Sequence, residues 1–262
     1  MSKSVTRPHP VLRTDGLTIR FGGHVAVDDV SCAFHAGTLT AIVGPNGAGK
    51  TTYFNLMSGQ LAASEGKVFL DGDDVTAFGA AARAKRGIGR AFQLTNLFPN
   101  LTVLENVRLA VQARADGGGN FWSTWNSRRD WIEIAERVVE SVRLEDKRHM
   151  LAAALPHGDK RKLDVALMMA LEPHVFMFDE PTAGMSVDEV PVTLDLIHRL
   201  KADGDKTILL VEHKMDVVRS LADRIIVLHN GRLVADGEPA EVIASPVVQE
   251  AYLGVRAGAG DG

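Results

Sequence analysis

The run Gly44-Pro45-Asn46-Gly47-Ala48-Gly49-Lys50-Thr51-Thr52 constrains this chain more than any other segment. It follows the apolar stretch Leu39 to Val43 and so satisfies G-x-x-x-x-G-K-[ST] in a strand-loop-helix setting. Glycines let a backbone curl around phosphate oxygens, so that its N–H groups and the N-terminus of the next helix face the negative charge. Gly44, Pro45, Asn46, Gly47, Ala48, Gly49, Lys50, Thr51 and Thr52 are therefore a candidate nucleotide cradle. In such a loop Lys50 reaches the β- and γ-phosphates and the Thr51 hydroxyl binds Mg²⁺. Alone, the loop leaves kinases, GTPases and helicases open.

The rest of the sequence supplies an α/β frame. Short apolar runs at 17–21, 39–43, 68–70, 175–178, 208–211 and 225–228 read as strands. Those at 39–43, 175–178 and 208–211 are nearly all apolar, as strands buried on both faces of a parallel sheet are. Helical stripes separate them: Leu163, Ala166, Leu167 and Ala170 on one, Val190, Leu194, Ile197 and Leu200 on another. Between Gln93 and Lys162 strand signals vanish. There Trp131, Ile134, Val138 and Val142 mark an amphipathic helix with Asp130 as its N-cap, and Gly117-Gly118-Gly119 breaks the segment, so an inserted helical subdomain is expected.

Downstream, residues 175–178 deliver Asp179-Glu180 to the C-terminal end of a buried strand, where ligands of open α/β sheets bind. Asp179 there holds Mg²⁺ through its water shell. Glu180 polarises the water that attacks a γ-phosphate in line.

Bulk properties narrow the partners. A net charge of -4 gives no basic footprint for nucleic acid, so none is expected as a partner. The single cysteine, Cys32, cannot form a disulfide within the chain and reads as a small buried residue on a strand. Residues 1–10 lack the apolar stretch of a signal peptide, and nowhere do about 18 apolar residues run together, so a role at a membrane needs partner proteins.

Taken in order, these motifs resemble the ATP-binding subunits of ABC transporters across nearly the whole chain. The resemblance implies a P-loop NTPase core with a mostly parallel sheet, an N-terminal antiparallel β region and an inserted helical signature subdomain. The expected divisions are 11–92 and 163–254 for the two parts of the core, 93–162 for the insert, and flexible tails at 1–10 and 255–262. It implies ATP and Mg²⁺ as cofactors. Phe21, before Gly22-Gly23, takes the place of the family's adenine-stacking aromatic, usually Tyr; packing with Leu17 and Ile19 on one strand face is the alternative. Gln93 resembles the hinge glutamine that contacts Mg²⁺ and the attacking water. His213, in Val211-Glu212-His213, resembles the switch histidine that hydrogen-bonds the γ-phosphate. The loop Ala183-Gly184-Met185-Ser186 carries Ser where the family usually has Asp.

The signature segment departs further. The family's Leu-Ser-Gly-Gly-Gln is here Leu155-Pro156-His157-Gly158-Asp159. His157, Gly158 and the helix N-terminus are left to face ATP bound to the other subunit of a dimer. Pro156 brings neither hydroxyl nor N–H, and Asp159 adds a negative charge that Lys160 or Arg161 is expected to neutralise.

The wording of these motifs, the long spacing from Gln93 to the signature and the ending Glu250-Ala251-Tyr252-Leu253-Gly254 resemble importers for branched-chain amino acids and their urea or amide relatives. The partners implied are a second ATPase subunit, of a different chain or the same one, two membrane permease subunits and, indirectly, a periplasmic binding protein. The implied location is the cytoplasmic face of the inner membrane, peripherally bound. The coupling surface is expected around 93–99 and the insert, where Trp122, Trp125 and Trp131 cluster. Alternatives are a lipopolysaccharide-export-type ATPase, or a non-transport ATPase of this family acting on DNA or ribosomes.

Overall fold

Two sheets share the work of this fold, and the parallel one carries the phosphate loop. The computed structural model describes residues 9–91, 97–115, 129–185 and 190–253. Chain order begins with β1 (Leu12–Phe21), β2 (His24–Phe34), β3 (Leu39–Val43), α1 (Lys50–Ser58), β4 (Glu65–Leu70), β5 (Asp73–Asp74), α2 (Ala80–Ala84) and β6 (Ile88–Ala91). Helices α3 (Val103–Ala115), α4 (Arg129–Ser141) and α5 (His157–Leu171) follow. The chain continues through β7 (Val175–Asp179), α6 (Val190–Ala202), β8 (Thr207–Val211), α7 (Met215–Leu221), β9 (Arg224–His229), β10 (Arg232–Gly237), α8 (Pro239–Ala244) and α9 (Pro246–Leu253).

Among the described residues the larger sheet has the order β10-β9-β3-β8-β7-β6 and is parallel except for β10. Every residue of β3, β7 and β8 is buried, which matches their almost unbroken apolar composition. The smaller sheet, β2-β1-β4-β5, is antiparallel. The expected α/β class, with its antiparallel N-terminal region, is what the chain adopts.

Period-two alternation sorts the side chains of β7 between two cores. Phe176 and Phe178 pack with Val103, Val107, Trp131, Ala135 and Leu163 of the helical region. Val175 and Met177 pack with Tyr53 and Phe54 of α1 and with Val27 and Val30 of β2. The helical insert thus rests on one face of the parallel sheet, and the antiparallel sheet and α1 on the other. Helix α5 runs unbroken through the division drawn at 162/163.

Two local features differ from the sequence expectations. The 11-residue β2 was not anticipated, because Asp28, Asp29 and Ser31 interrupt its apolar pattern and its register with β1 is irregular. Asp130 lies inside the first turn of α4, not at its cap. The expected stripe of α4 faces the core: Trp131 and Val142 are buried, Ile134 and Val138 pack half-buried against the same cluster, and Ala135 and Val139 complete the buried face.

Candidate functional site

The phosphate loop is held by backbone geometry that only glycine tolerates. Gly44 has φ +152°, and a Cβ there would lie 2.1 Å from the Leu228 carbonyl oxygen. Gly49 has φ +96°, and a Cβ would meet the Ala26 carbonyl oxygen at 2.5 Å. Side chains at either position would push the loop off the sheets beneath it. Helix α1 opens directly after Gly49 with no side-chain capping bond, so its first N–H groups face the loop. Thr51 is exposed at this end and Thr52 half-buried, whereas Asn46 and Gly47 form the open crest of the loop.

Lys50 is 8% exposed, and its Nζ donates to the carbonyls of Gly44 at 2.7 Å and Pro45 at 2.9 Å. Burial lowers its pKa, against the pull of the Glu180 and Asp179 carboxylates. The lysine is thus bent back along the loop, with both acids in its field.

Those acids stand at the end of β7. Asp179 is buried and accepts a hydrogen bond from Arg90 Nη2 on Oδ2 at 2.7 Å, with side chains 6% and 7% exposed. Glu180 takes a left-handed backbone, φ 50°, which is uncommon for a side-chain-bearing residue and costs on the order of 1 kcal/mol or more. Its N–H donates to the Val211 carbonyl at 2.9 Å, so the turn is tied to the end of β8. Just beyond β8, His213 places Nδ1 3.8 Å from Glu180 Oε1, and both side chains are nearly half exposed. Adjacent parallel strands β3, β8 and β7 therefore bring Lys50, His213 and Asp179-Glu180 to one edge of the sheet.

Two charged residues to which the sequence reading gave no role close the region from behind. Arg90, on β6, also donates through Nη1 to Asn55 Oδ1 at 2.6 Å, Ser58 Oγ at 3.0 Å and Gln60 Oε1 at 2.9 Å, linking the far end of α1 to Asp179. Burial lowers the Arg90 pKa, with Asp179 opposing. Glu212 is wholly buried between the turns that carry Glu180 and His213. The only sequence signal for either was a charge at the edge of an apolar strand.

At the start of α5, Pro156 occupies the N-cap position (φ -56°, ψ 159°), His157 is exposed and Gly158 buried. The first helical hydrogen bond runs from Lys160 N to the Pro156 carbonyl at 3.0 Å. Asp159 is not neutralised by Lys160 or Arg161 as expected. Lys147, from the turn before α5, and Lys162, one helical step on at 2.9 Å, both bond its carboxylate. Burial works to raise the Asp159 pKa, but these two ammonium groups outweigh it and the net shift is downward. Arg161 points instead at the Pro181 carbonyl, 3.5 Å away, next to the acid pair.

Phe21 is 51% exposed at the end of β1 while Leu17 and Ile19 are buried, so core packing does not account for its ring. Gln93, Ser186, Trp122 and Trp125 lie outside the described residues. Trp131 is buried among the insert helices. The hard oxygen donors Thr51 and Asp179 suit Mg²⁺, which keeps water and phosphate as most of its ligands. Among the described residues no group of three or more His, Cys, Asp or Glu is gathered that could hold a metal by itself.

Residues 27–183 match the ABC transporter family, and residues 232–258 match the family described as branched-chain amino acid ATP-binding cassette transporter. The chain is 35% identical over 250 residues to the high-affinity branched-chain amino acid transport ATP-binding protein BraF of Pseudomonas aeruginosa, covering 94% of this chain and 98% of that one. It is 34% identical, with the same coverage, to the corresponding protein LivG of Escherichia coli K12. Its fold is similar to the crystal structure of the ADP conformation of an ATP-binding cassette of an ABC transporter. That match has a TM-score of 0.77 at 31% identity and covers 95% of this chain and 100% of the other.

Proposed function

This chain belongs to the ABC transporter family and is an ATP-binding cassette with ATPase activity, and from that premise we propose that it powers import of branched-chain amino acids. The observation that carries the reading is the single sheet edge where Lys50, Asp179, Glu180 and His213 meet, combined with relatives named for that transport.

In this reading Lys50 leaves its loop carbonyls for the β- and γ-phosphates, which the N–H groups of residues 44–52 also bind. Thr51 and Asp179, joined by Gln93, would hold Mg²⁺, which would supply positive charge against that of the phosphates. Glu180 orients and polarises the attacking water, and His213 holds the γ-phosphate beside it. Phe21 offers its exposed ring to the adenine. The N-terminus of α5, with His157 and Gly158, serves the nucleotide of the opposite subunit.

The proposed partners are a second cassette, two membrane subunits and, through them, a binding protein. Among the described residues no helix is long and apolar enough to cross a membrane. Exposed apolar side chains support a docking surface on the insert. Phe98 is 56% exposed and Leu151 48%, and backbone pairing zips their segments together through Thr102 and Leu151 and through Val103 N to the Met150 carbonyl. Peripheral attachment at the cytoplasmic face of the inner membrane is part of the same proposal.

The test is reconstitution with the cognate membrane and binding proteins, followed by uptake of radiolabelled leucine and of urea. ATP-dependent leucine uptake supports the reading. Uptake of urea alone moves the chain to the urea or amide branch, and no uptake of either removes the import assignment.

A further inference from the structure

We infer that Glu212 is a positioning residue, a buried clasp that sets the Glu180 turn and His213 relative to each other for ATP hydrolysis. The inference rests on the proposed roles of Glu180 and His213. Glu212 is 0% exposed, and a carboxylate in such a place is costly unless its oxygens are fully engaged. Both are. Oε1 accepts the Thr182 hydroxyl, two residues after Glu180, and Oε2 accepts the N–H groups of His213 at 2.9 Å and Lys214 at 3.2 Å.

The donors come from both turns that frame the reacting edge. Lys214 Nζ adds a bond of 3.4 Å to the Thr182 carbonyl, and Glu180 N to the Val211 carbonyl closes the ladder above. One carboxylate therefore fixes the backbone of His213 and anchors the turn that holds Glu180 in its left-handed conformation. Glu212 itself touches no reacting atom. Its contribution is to hold the 3.8 Å approach between His213 and Glu180 without spending nucleotide-binding energy on it.

The experiment compares Glu212→Ala, Glu212→Gln, Thr182→Val, His213→Ala and the Glu212→Ala/His213→Ala double variant in the assembled transporter. It reads kcat and, separately, equilibrium affinity for a fluorescent ATP analogue. Glu212→Ala is expected to lower kcat about tenfold or more with affinity within about twofold, whereas Glu212→Gln, which still accepts both N–H groups, stays within about threefold of the parent. In the His213→Ala background, Glu212→Ala is expected to cost less than about twofold more, because residues acting as a unit do not add. Should Glu212→Ala fail to fold, Thr182→Val carries the test with an expected loss of about fivefold in kcat and unchanged affinity. Parent-like kcat in Glu212→Ala or Thr182→Val beside a crippled His213→Ala overturns the clasp alone. Equal losses of kcat and affinity, or full additivity with His213→Ala, also overturn it. Full activity in His213→Ala overturns the role of His213 and removes the clasp's target.

Discussion

Arg90 and Asp179 meet across the β6–β7 pair, Nη2 to Oδ2 at 2.7 Å, with both side chains almost completely buried. The same guanidinium bonds Asn55, Ser58 and Gln60 and lies over the Phe54 ring at 5.1 Å, so the far end of α1 and the tip of β7 share one cation. Lys50 begins α1 and Asp179 ends β7. Arg90 thus fixes from behind the two elements that present the lysine and the acid.

Removing one member of a buried pair strands the other's charge, at a cost of about 3 to 5 kcal/mol. Arg90→Met is therefore expected to lower Tm by roughly 6 to 15 °C for a chain of this size, read by calorimetry without nucleotide. The double variant Arg90→Met/Asp179→Asn should recover part of that loss, since no lone buried charge remains. Equal Tm values for Arg90→Met and the parent would mean that the pair is solvated and its burial illusory.

The loop and the acid pair divide their labour in a way that mutation separates. Lys50→Ala removes the cation that both acids and the phosphates share, and is expected to weaken ATP affinity about tenfold or more. Glu180→Gln keeps the turn and its bond to Val211, so binding should survive while turnover falls by about a hundredfold or more. An ATP-stabilised dimer of Glu180→Gln, seen by gel filtration, is the companion result. Full turnover in this variant removes Glu180 from the chemistry.

The parallel sheet was legible because β3, β7 and β8 are almost entirely apolar, and the loop because its glycines and Lys50 keep fixed spacing. Local pattern carries that information. What escaped depends on pairing between distant segments. β2 hides behind Asp28 and Asp29, whose side chains sit at a bulged, partly exposed hairpin, and the low end of β4, Glu65 to Lys67, is exposed and so shows no apolar alternation. Asp159 and its partner Lys147 are 12 residues apart, on a turn and a helix, where no periodicity links them. Arg90 and Glu212 look like ordinary strand-edge charges until the sheet order is known.

Asp164, on the buried side of α5, yields a prediction about pH. Burial pushes its carboxyl from 3.8 up to about 7, with Arg161 pulling the other way. The folded state therefore holds a proton that the unfolded state releases, so this group's support for the fold is complete below about pH 4 and is lost as pH rises through 7. Asp164→Asn, neutral at every pH, should stabilise the protein, and its advantage should grow by about 2 to 3 kcal/mol between pH 5 and pH 8. Denaturant titrations at the two pH values check this. A constant difference would mean that Asp164 stays ionised in the fold.

The signature segment leads to the last expectation, an asymmetric working dimer. In an ATP sandwich each site joins one chain's phosphate loop and acid pair to the other chain's signature helix. Pro156 at the N-cap of α5 offers no hydroxyl and no N–H, so the site weakened is the one built on the partner's loop. Asp159 does not add to the damage, because Lys147 and Lys162 already claim its carboxylate. The deficit is then one hydrogen bond to a charged phosphate, about 1.5 to 3 kcal/mol, enough to slow that site tenfold or more without emptying it. This chain's own Lys50 and Glu180 would face an intact signature on a different partner chain. Glu180→Gln here should accordingly stop most transport, the equivalent change in the partner should cost less, and Pro156→Ser should raise turnover at the weaker site. Measuring ATPase rates of both single Glu→Gln variants in the assembled complex decides the matter. Equal losses would show that exposed His157 or the α5 N–H groups replace the missing donor, and a fully active homodimer of this chain would end the asymmetric reading.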